Sequence, residues 1–67
     1  MITIHINGVS QQFTAKLNIA ELIEKLGYTG KRIALERNGD IVPRSTYANV
    51  NLADGDKLEL VVAVGGG

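Results

Sequence analysis

The segment KLELVVAV at residues 57–64 limits the folds open to this chain more than any other part of the sequence. It is apolar at nearly every position, with alternate residues from Leu58 on one face and Val61 and Ala63 on the other. A strand that is apolar on both faces is typical of the centre of a sheet and not of its edge. The sequence therefore predicts a last strand that lies between two others.

Two further strands are predicted at the start of the chain. The isoleucines of ITIHI (residues 2–6) alternate with polar residues, which is the period of a half-buried strand. Asn7-Gly8 is the strongest short hairpin signal and predicts a two-residue turn that pairs Ile2 with Phe13. The same register places Gln11 on the isoleucine face, and the pattern offers no reason for a polar residue there.

A short helix is predicted to begin at about Ile19. Asn18 and Glu21 have the spacing of a capping box, in which each residue hydrogen-bonds the other's backbone. Apolar residues then recur at i, i+3, i+4 and i+7 from Ile19, which gives one apolar stripe. Gly27 is placed to end the helix in the left-handed conformation.

The middle of the chain predicts two more strands. Residues 32–36 form the first, Asn38-Gly39 the turn, and a short return strand ends at Pro43. Residues 45–49 are predicted to form a turn or one helical turn. Two strands, a helix and then three strands describe one mixed sheet around one helix. We therefore expect an α+β protein with the β-grasp, or ubiquitin-like, fold, in which a mixed sheet of four to five strands packs on one helix.

The composition excludes several classes of protein. Seven Lys and Arg balance seven Asp and Glu and are scattered along the chain, so nucleic acid is not an expected partner. The absence of Cys excludes disulfides and thiolate zinc sites. The sequence shows neither a signal-peptide pattern nor an apolar run long enough to cross a bilayer. We expect a cytoplasmic protein that is monomeric alone and does not bind membranes.

No group of side chains in the sequence has the pattern of a catalytic or metal site. His5 alternates with predicted core residues and is expected to face solvent. Asp54 and Asp56 flank Gly55 in a predicted turn, where short carboxylates bond the local backbone. Arg37 and Arg44 are interpreted as solvated surface charges, with ion pairs to acidic residues of a partner as the alternative. The sequence therefore predicts a protein that has no metal, binds no cofactor and is not itself an enzyme.

Three glycines, Gly65, Gly66 and Gly67, come directly after the predicted last strand. The sequence shows no helix after them, so we do not expect them to form a phosphate-binding loop. The reactive group that remains is the α-carboxylate of Gly67, which ATP can activate as an acyl adenylate for attack by a sulfur or nitrogen nucleophile. Gly65 and Gly66 would let an extended tail thread through a narrow channel in a partner, where a Cβ would collide.

We expect residues 1–64 to form the β-grasp domain and residues 65–67 a flexible C-terminal tail. The alternative interpretations of the glycines are a cloning scar, a truncated linker or a frayed chain end. Val61 and Ala63, on the face opposite the core, form a candidate partner surface because an apolar patch on an open sheet face is suited to docking. The alternative is that both residues only strengthen a central strand.

The whole chain resembles the ThiS family, the sulfur carrier proteins of thiamin biosynthesis. The segments that carry this resemblance are ING at residues 6–8, ALERNG at 34–39, IVPR at 41–44, DGD at 54–56 and AVGGG at 63–67. The resemblance implies that a ThiF-like enzyme uses ATP to adenylate the carboxylate of Gly67. Sulfur derived from cysteine would then convert it to a thiocarboxylate, from which a ThiG-like thiazole synthase takes sulfur into the thiazole ring. The protein would be a cosubstrate of these enzymes.

Two other functions fit a β-grasp chain that ends in glycines. The small subunit of molybdopterin synthase is also a sulfur carrier with a terminal Gly-Gly, but its chains are longer. The segments at residues 36–39 and 41–44 favour the thiamin carrier over it. The other is a non-reactive β-grasp interaction module of the TGS type, in which the glycines would be a truncated linker.

Overall fold

The computed structural model describes residues 1–14 and 16–63. Within these residues, five strands form one mixed sheet, and one α-helix packs on a face of it. The elements are β1 (Ile2–Ile6), β2 (Val9–Phe13), α1 (Ile19–Lys25), β3 (Ile33–Arg37), β4 (Asp40–Ile41) and β5 (Lys57–Val62). The order in the sheet is β2-β1-β5-β3-β4, so the last strand is central, as its apolar pattern predicts. The predicted α+β architecture is confirmed.

The first hairpin has the predicted turn and register. Asn7 and Gly8 have φ values of 49° and 84°, and a two-residue type I′ turn requires positive φ at both positions. β1 and β2 pair antiparallel without a bulge, so Gln11 lies opposite Ile4 and is half-buried. Because β2 is an edge strand, the polar side chain of Gln11 can reach water there.

Hydrogen bonds hold both ends of α1. Glu21 N–H donates to Asn18 Oδ1 at 2.8 Å, and Asn18 N–H donates to Glu21 Oε1 at 2.9 Å, which confirms the capping box. At the other end Gly27 has φ 81°, and Tyr28 N–H donates to Ile23 O at 3.0 Å, the pattern of a Schellman motif. A helix of this length depends on such caps and on packing. In the part of the chain that the structure describes, no helix is long and apolar enough to cross a membrane.

The core lies between α1 and one face of the sheet. Its most completely buried side chains come from four elements and are Ile4, Ile19, Leu22, Leu35 and Leu58. Each such side chain contributes roughly 1.5–3 kcal/mol by leaving water. Packing against the helix therefore occupies the inner face of the sheet, and its outer face is available for other contacts.

The middle of the chain differs slightly from the prediction. β3 begins and ends one residue later than predicted, because Arg37 still pairs with β4 and β5. Pro43 follows the short strand β4, and a 3₁₀ helix spans Arg44–Asn49, where a turn or one helical turn is predicted. The half-buried Ile33 of β3 and the buried Tyr47 of the 3₁₀ helix complete the core.

Candidate functional site

β5 ends at Val62, and the sequence continues through Ala63 toward the glycines that are predicted to form a reactive tail. Residues 64–67 lie outside the described residues, so the roles predicted for Gly65, Gly66 and Gly67 stay predictions. The structure does show how the preceding strand is held. Ala63 N–H donates to Arg32 O at 2.9 Å, so the backbone of this segment stays bonded on the β3 side as far as Ala63.

The outer face of the sheet carries exposed apolar side chains beside the end of β5. Val61 is 65% exposed and lies opposite Ala34 of β3, which is also exposed. Ala63 is exposed, and Ile41 of the neighbouring strand β4 is 71% exposed. We call these four residues the outer patch. The predicted positions of Val61 and Ala63 on the exposed face are confirmed, and their predicted role in docking stays a prediction.

Ala34 and Ile41 also belong to this surface, although neither was predicted as part of it. The alternation of β3 alone places Ala34 on the outer face, so that residue could have been found from the strand pattern. Ile41 could also have been found, because a two-residue turn at Asn38-Gly39 pairs it with Glu36. The predicted strands and turn therefore contain the signals that assemble the patch.

An acidic pair borders the outer patch. Glu36 of β3 lies directly opposite Glu59 of β5, and Ile41 pairs with Glu36 from the other side. Like charges placed directly opposite in a sheet are destabilising, by roughly 0.2–1 kcal/mol. Lys57 is exposed two positions before Glu59 on the same face. The outer patch is thus an apolar surface with carboxylates at its border.

Asp56 is the buried polar residue at the start of β5. Its Oδ2 accepts hydrogen bonds from Arg37 Nε at 2.9 Å and from Ala53 N–H at 2.8 Å. Its Oδ1 accepts one from Asn38 Nδ2 at 3.1 Å. The predicted local backbone bond of Asp56 is confirmed. The interpretation of Arg37 as a solvated charge is wrong, because its side chain is only 31% exposed and forms a salt bridge with Asp56.

The pKa of Asp56 reflects these contacts. Burial acts to raise the pKa, but the hydrogen bonds from Ala53, Arg37 and Asn38 and the charge of Arg37 outweigh burial, so the pKa lies below its usual value. The carboxylate is therefore charged at neutral pH, and both of its oxygens are occupied by bonds within the fold. This arrangement stabilises the base of β5.

Asp54 and His5 make simpler contacts. Asp54 Oδ1 accepts a hydrogen bond from Thr3 N–H at 2.7 Å, so the expected local partner of Asp54 is wrong and the turn is tied to β1 instead. His5 is half-buried, with Nδ1 at 3.2 Å from Ser10 Oγ. Among residues 1–14 and 16–63, no three His, Cys, Asp or Glu side chains are grouped so that they could hold a metal ion.

Comparison with known proteins relates this structure to a family. The sequence profile of the ThiS family matches residues 4–67. A thiazole synthase of Paramagnetospirillum magneticum is 47% identical over 62 residues, which are 92% of this chain and 19% of that protein. The uncharacterized protein ycf40 of Porphyra purpurea is 33% identical over 66 residues, which are 98% of this chain and 93% of that protein.

The solved structures agree with the sequence comparison. The crystal structure of the thiamine biosynthesis protein ThiS from Geobacter metallireducens matches with a TM-score of 0.82 at 26% identity, covering 98% of this chain and 100% of that one. The predicted β-grasp fold is thereby confirmed. The chain spans about a fifth of the length of the two relatives named thiazole synthase. Since the profile, the relatives of similar length and the fold agree over nearly the whole chain, the protein belongs to the ThiS family.

Proposed function

We propose that this protein is a sulfur carrier of thiamin biosynthesis whose reactive group is the carboxylate of Gly67. The observation that carries the proposal is a central strand, β5, that ends at Val62, shortly before three glycines in the sequence, in a member of the ThiS family. The protein is a cosubstrate in this scheme and holds no cofactor of its own. ATP is consumed by the enzyme that activates it.

Two steps make the thiocarboxylate. A carboxylate oxygen of Gly67 forms a bond to the α-phosphorus of ATP, and pyrophosphate leaves with the electron pair of the broken P–O bond. Hydrosulfide supplied by a cysteine-derived donor then forms a C–S bond to the carbonyl carbon, while AMP leaves and the proton goes to solvent. The resulting sulfur is a far better nucleophile than the original oxygen, and thiazole synthase takes it for the ring.

Gly65 and Gly66 give the tail the shape that this chemistry needs. An extended segment without Cβ atoms can pass through a narrow channel to reach ATP in a ThiF-like adenylating enzyme. Fixing such a segment costs about 1–2 kcal/mol of conformational entropy per residue. The globular domain therefore supplies most of the binding free energy, and the outer patch is the surface that we propose for docking.

A ThiG-like thiazole synthase is the proposed recipient of the sulfur. Two proteins named thiazole synthase contain a segment similar to this chain, as about a fifth of their length, and this supports such an enzyme as a partner. The carboxylates of Glu36 and Glu59 at the border of the outer patch favour partner surfaces that carry basic side chains. Pairing with Lys or Arg would relieve the repulsion between the two glutamates.

Replacing Val61 by arginine is expected to raise the Kd for the adenylating enzyme about tenfold, or roughly 1.4 kcal/mol. The new side chain fills the middle of the outer patch and repels the basic partner surface that we propose. Arginine beside the Glu36–Glu59 pair adds no like charge to the fold, so the melting temperature should change little. Isothermal titration calorimetry of the purified pair measures the Kd.

Val9→Arg is the matched control for this substitution. Val9 is 60% exposed, close to the 65% of Val61, but it lies on the edge strand β2 opposite the buried Ile6, and therefore on the other face of the sheet. We expect the Val9 variant to bind like the unmodified protein. Equal Kd values for both variants and the unmodified protein would exclude the outer patch as the docking surface.

The proposed function is tested by the intact mass of the protein after incubation with ATP, the adenylating enzyme and a sulfur source. The full-length chain should gain the mass difference between one sulfur and one oxygen atom. A variant that lacks Gly65, Gly66 and Gly67, and so ends in a β-branched residue, should gain nothing. If the full-length chain gains nothing while the same enzyme modifies another carrier, the interaction-module alternative replaces the carrier function.

A further inference from the structure

Two asparagines contact the central strand from opposite sides. Asn7 follows β1 and Asn38 follows β3, the two strands that flank β5. Each begins an Asn-Gly turn and has positive φ, 49° for Asn7 and 51° for Asn38, a conformation that asparagine tolerates better than most residues. The two turns thus bring one side-chain amide to each side of β5.

The amide of Asn7 takes the place of a peptide group in β1. Leu60 N–H donates to Asn7 Oδ1 at 2.7 Å, and Asn7 Nδ2 donates to Leu60 O at 3.0 Å. One step earlier, Asn7 N–H donates to Leu58 O at 2.9 Å in the regular parallel pattern. The main chain turns away from β5 at Gly8. The side chain of Asn7 therefore makes the next pair of hydrogen bonds along β5 in place of the backbone.

Asn7 therefore marks the point where β5 loses its partner on the β1 side. Alternate residues of a strand bond to opposite neighbours. The carbonyl of Lys57 and the N–H of Ala63 bond on the β3 side, and the carbonyl of Leu58 bonds on the β1 side. The same alternation directs the polar backbone groups of Val62 toward the β1 side, beyond the last residues that β1 pairs with β5. Among the residues of β5 that the structure describes, Leu60 is the last position bonded on that side by the first hairpin.

Asn38 makes an equivalent set of bonds at the other end of β5. Lys57 N–H donates to Asn38 Oδ1 at 2.9 Å, and Asn38 Nδ2 donates to Asp56 Oδ1 at 3.1 Å. The two asparagines share a turn type and a backbone conformation, and each makes two side-chain hydrogen bonds. Asn38 holds the beginning of the strand, and Asn7 holds the part from which the chain continues to the glycines.

We propose that Asn7 is a positioning residue for the adenylation of Gly67. The side-chain amide of Asn7 hydrogen-bonds Leu60 on the β1 side of β5. This bond fixes what we call the exit point, the position next to Val61 of the outer patch beyond which β5 is bonded to β3 alone. With the patch docked on the adenylating enzyme, a fixed exit point restricts where the carboxylate can go and raises the fraction of encounters that are aligned with ATP. This inference rests on the proposed function and adds a residue to it.

Asn7→Gly and Asn38→Gly test the role of Asn7 as a matched pair. Glycine accepts positive φ, so both turns are kept. Each variant loses two side-chain hydrogen bonds: those of Asn7 to Leu60, or those of Asn38 to Lys57 and Asp56. ATP–pyrophosphate exchange by the adenylating enzyme gives kcat and KM for each carrier. For Asn7→Gly we expect kcat to fall about tenfold with KM changed less than about twofold, because docking is intact and alignment is lost. For Asn38→Gly we expect both constants to stay within about twofold of the unmodified values.

Amide hydrogen exchange of the free proteins provides a readout that needs no enzyme. Asn7→Gly should lower the protection of the Leu60 and Ala63 amides about tenfold more than that of Lys57, and Asn38→Gly should show the reverse order. Protected amides in the hydrogen-exchange measurement also show that both variants are folded. Unchanged protection at Ala63 in Asn7→Gly would overturn the proposal, since the exit point would then not depend on Asn7.

The kinetic outcomes separate this proposal from the function on which it rests. Equal kcat values for the two variants, or a loss that appears only in KM, overturns the role of Asn7 while the unmodified protein still supports exchange. If the unmodified protein supports no exchange with an enzyme that is active on another carrier, the carrier function fails and the role of Asn7 in it fails as well.

Discussion

Replacing Gly66 by valine is expected to slow ATP–pyrophosphate exchange on this carrier at least a hundredfold, or about 2.7 kcal/mol in activation free energy. The branched side chain stiffens the backbone and places three carbon atoms where the proposed channel admits none. A misplaced carboxylate then meets the α-phosphate less often in reactive geometry. The substitution should leave the unfolding midpoint unchanged, because the buried apolar core is formed by residues 4–60.

Ala48→Val is the control for the Gly66 variant. Ala48 is exposed in the 3₁₀ helix and lies outside the outer patch, so the same kind of added bulk should not affect exchange there. The Kd of the Gly66 variant for the adenylating enzyme should stay within about tenfold, since docking is assigned to the domain. Exchange at the unmodified rate would refute threading through a narrow channel.

Replacing Asp56 by alanine is expected to lower the free energy of unfolding by roughly 2–4 kcal/mol. The change leaves the partly buried guanidinium of Arg37 without its carboxylate and removes the acceptors of Ala53 N–H and Asn38 Nδ2. A chain of this length has a total stability of about 3–10 kcal/mol, so the loss is a large fraction. Urea unfolding followed by circular dichroism measures it.

Asp54→Ala is the matched control in the same turn. The carboxylate of Asp54 is exposed and accepts one hydrogen bond, from Thr3 N–H, so its removal should cost about 1 kcal/mol or less. Equal losses for the two variants would show that the network around Asp56 contributes no more than a surface turn does.

Asp56 should also make the free energy of unfolding depend on pH in acid. The pKa of Asp56 in the folded protein lies below its usual value of 3.8, so the charged form stabilises the fold above that value. This stabilisation is lost as the pH falls through the lower, folded-state value. Asp56→Asn should therefore show a weaker fall in unfolding free energy below about pH 4 than the unmodified protein. Identical acid profiles would assign the pH dependence to other carboxylates.

Local signals in the sequence predict much of this fold. Two Asn-Gly pairs, the capping box at Asn18 and the alternation of the first strand each concern residues close together in the chain, so their geometry follows from neighbouring residues. The central place of β5 also follows locally, from its apolar character on both faces. The first and last residues of each strand are predicted less well, because hydrogen bonding to the neighbouring strands sets where a strand begins and ends.

Long-range contacts account for most of what the sequence did not predict. Arg37 pairs with Asp56 across 19 positions, and Asn7 bonds Leu60 across 53. Asparagine in an Asn-Gly turn is explained fully by its backbone conformation, so the sequence gives no hint that its amide also holds another strand. The outer patch was half predicted, since Val61 lies in an evident strand but its neighbour Ala34 is placed beside it only by the long-range pairing of β3 with β5.

The central position of β5 has a consequence for the order in which the chain folds. The β1–β2 and β3–β4 hairpins each close through a two-residue turn, but in the sheet they are separated by β5. They join only when β5 inserts and His5 pairs with Lys57 near the far end of the chain. Closing so long a loop costs entropy before any contact compensates for it, and non-local pairing of this kind slows folding. The two hairpins therefore form a single cooperative domain only after the last strand is in place.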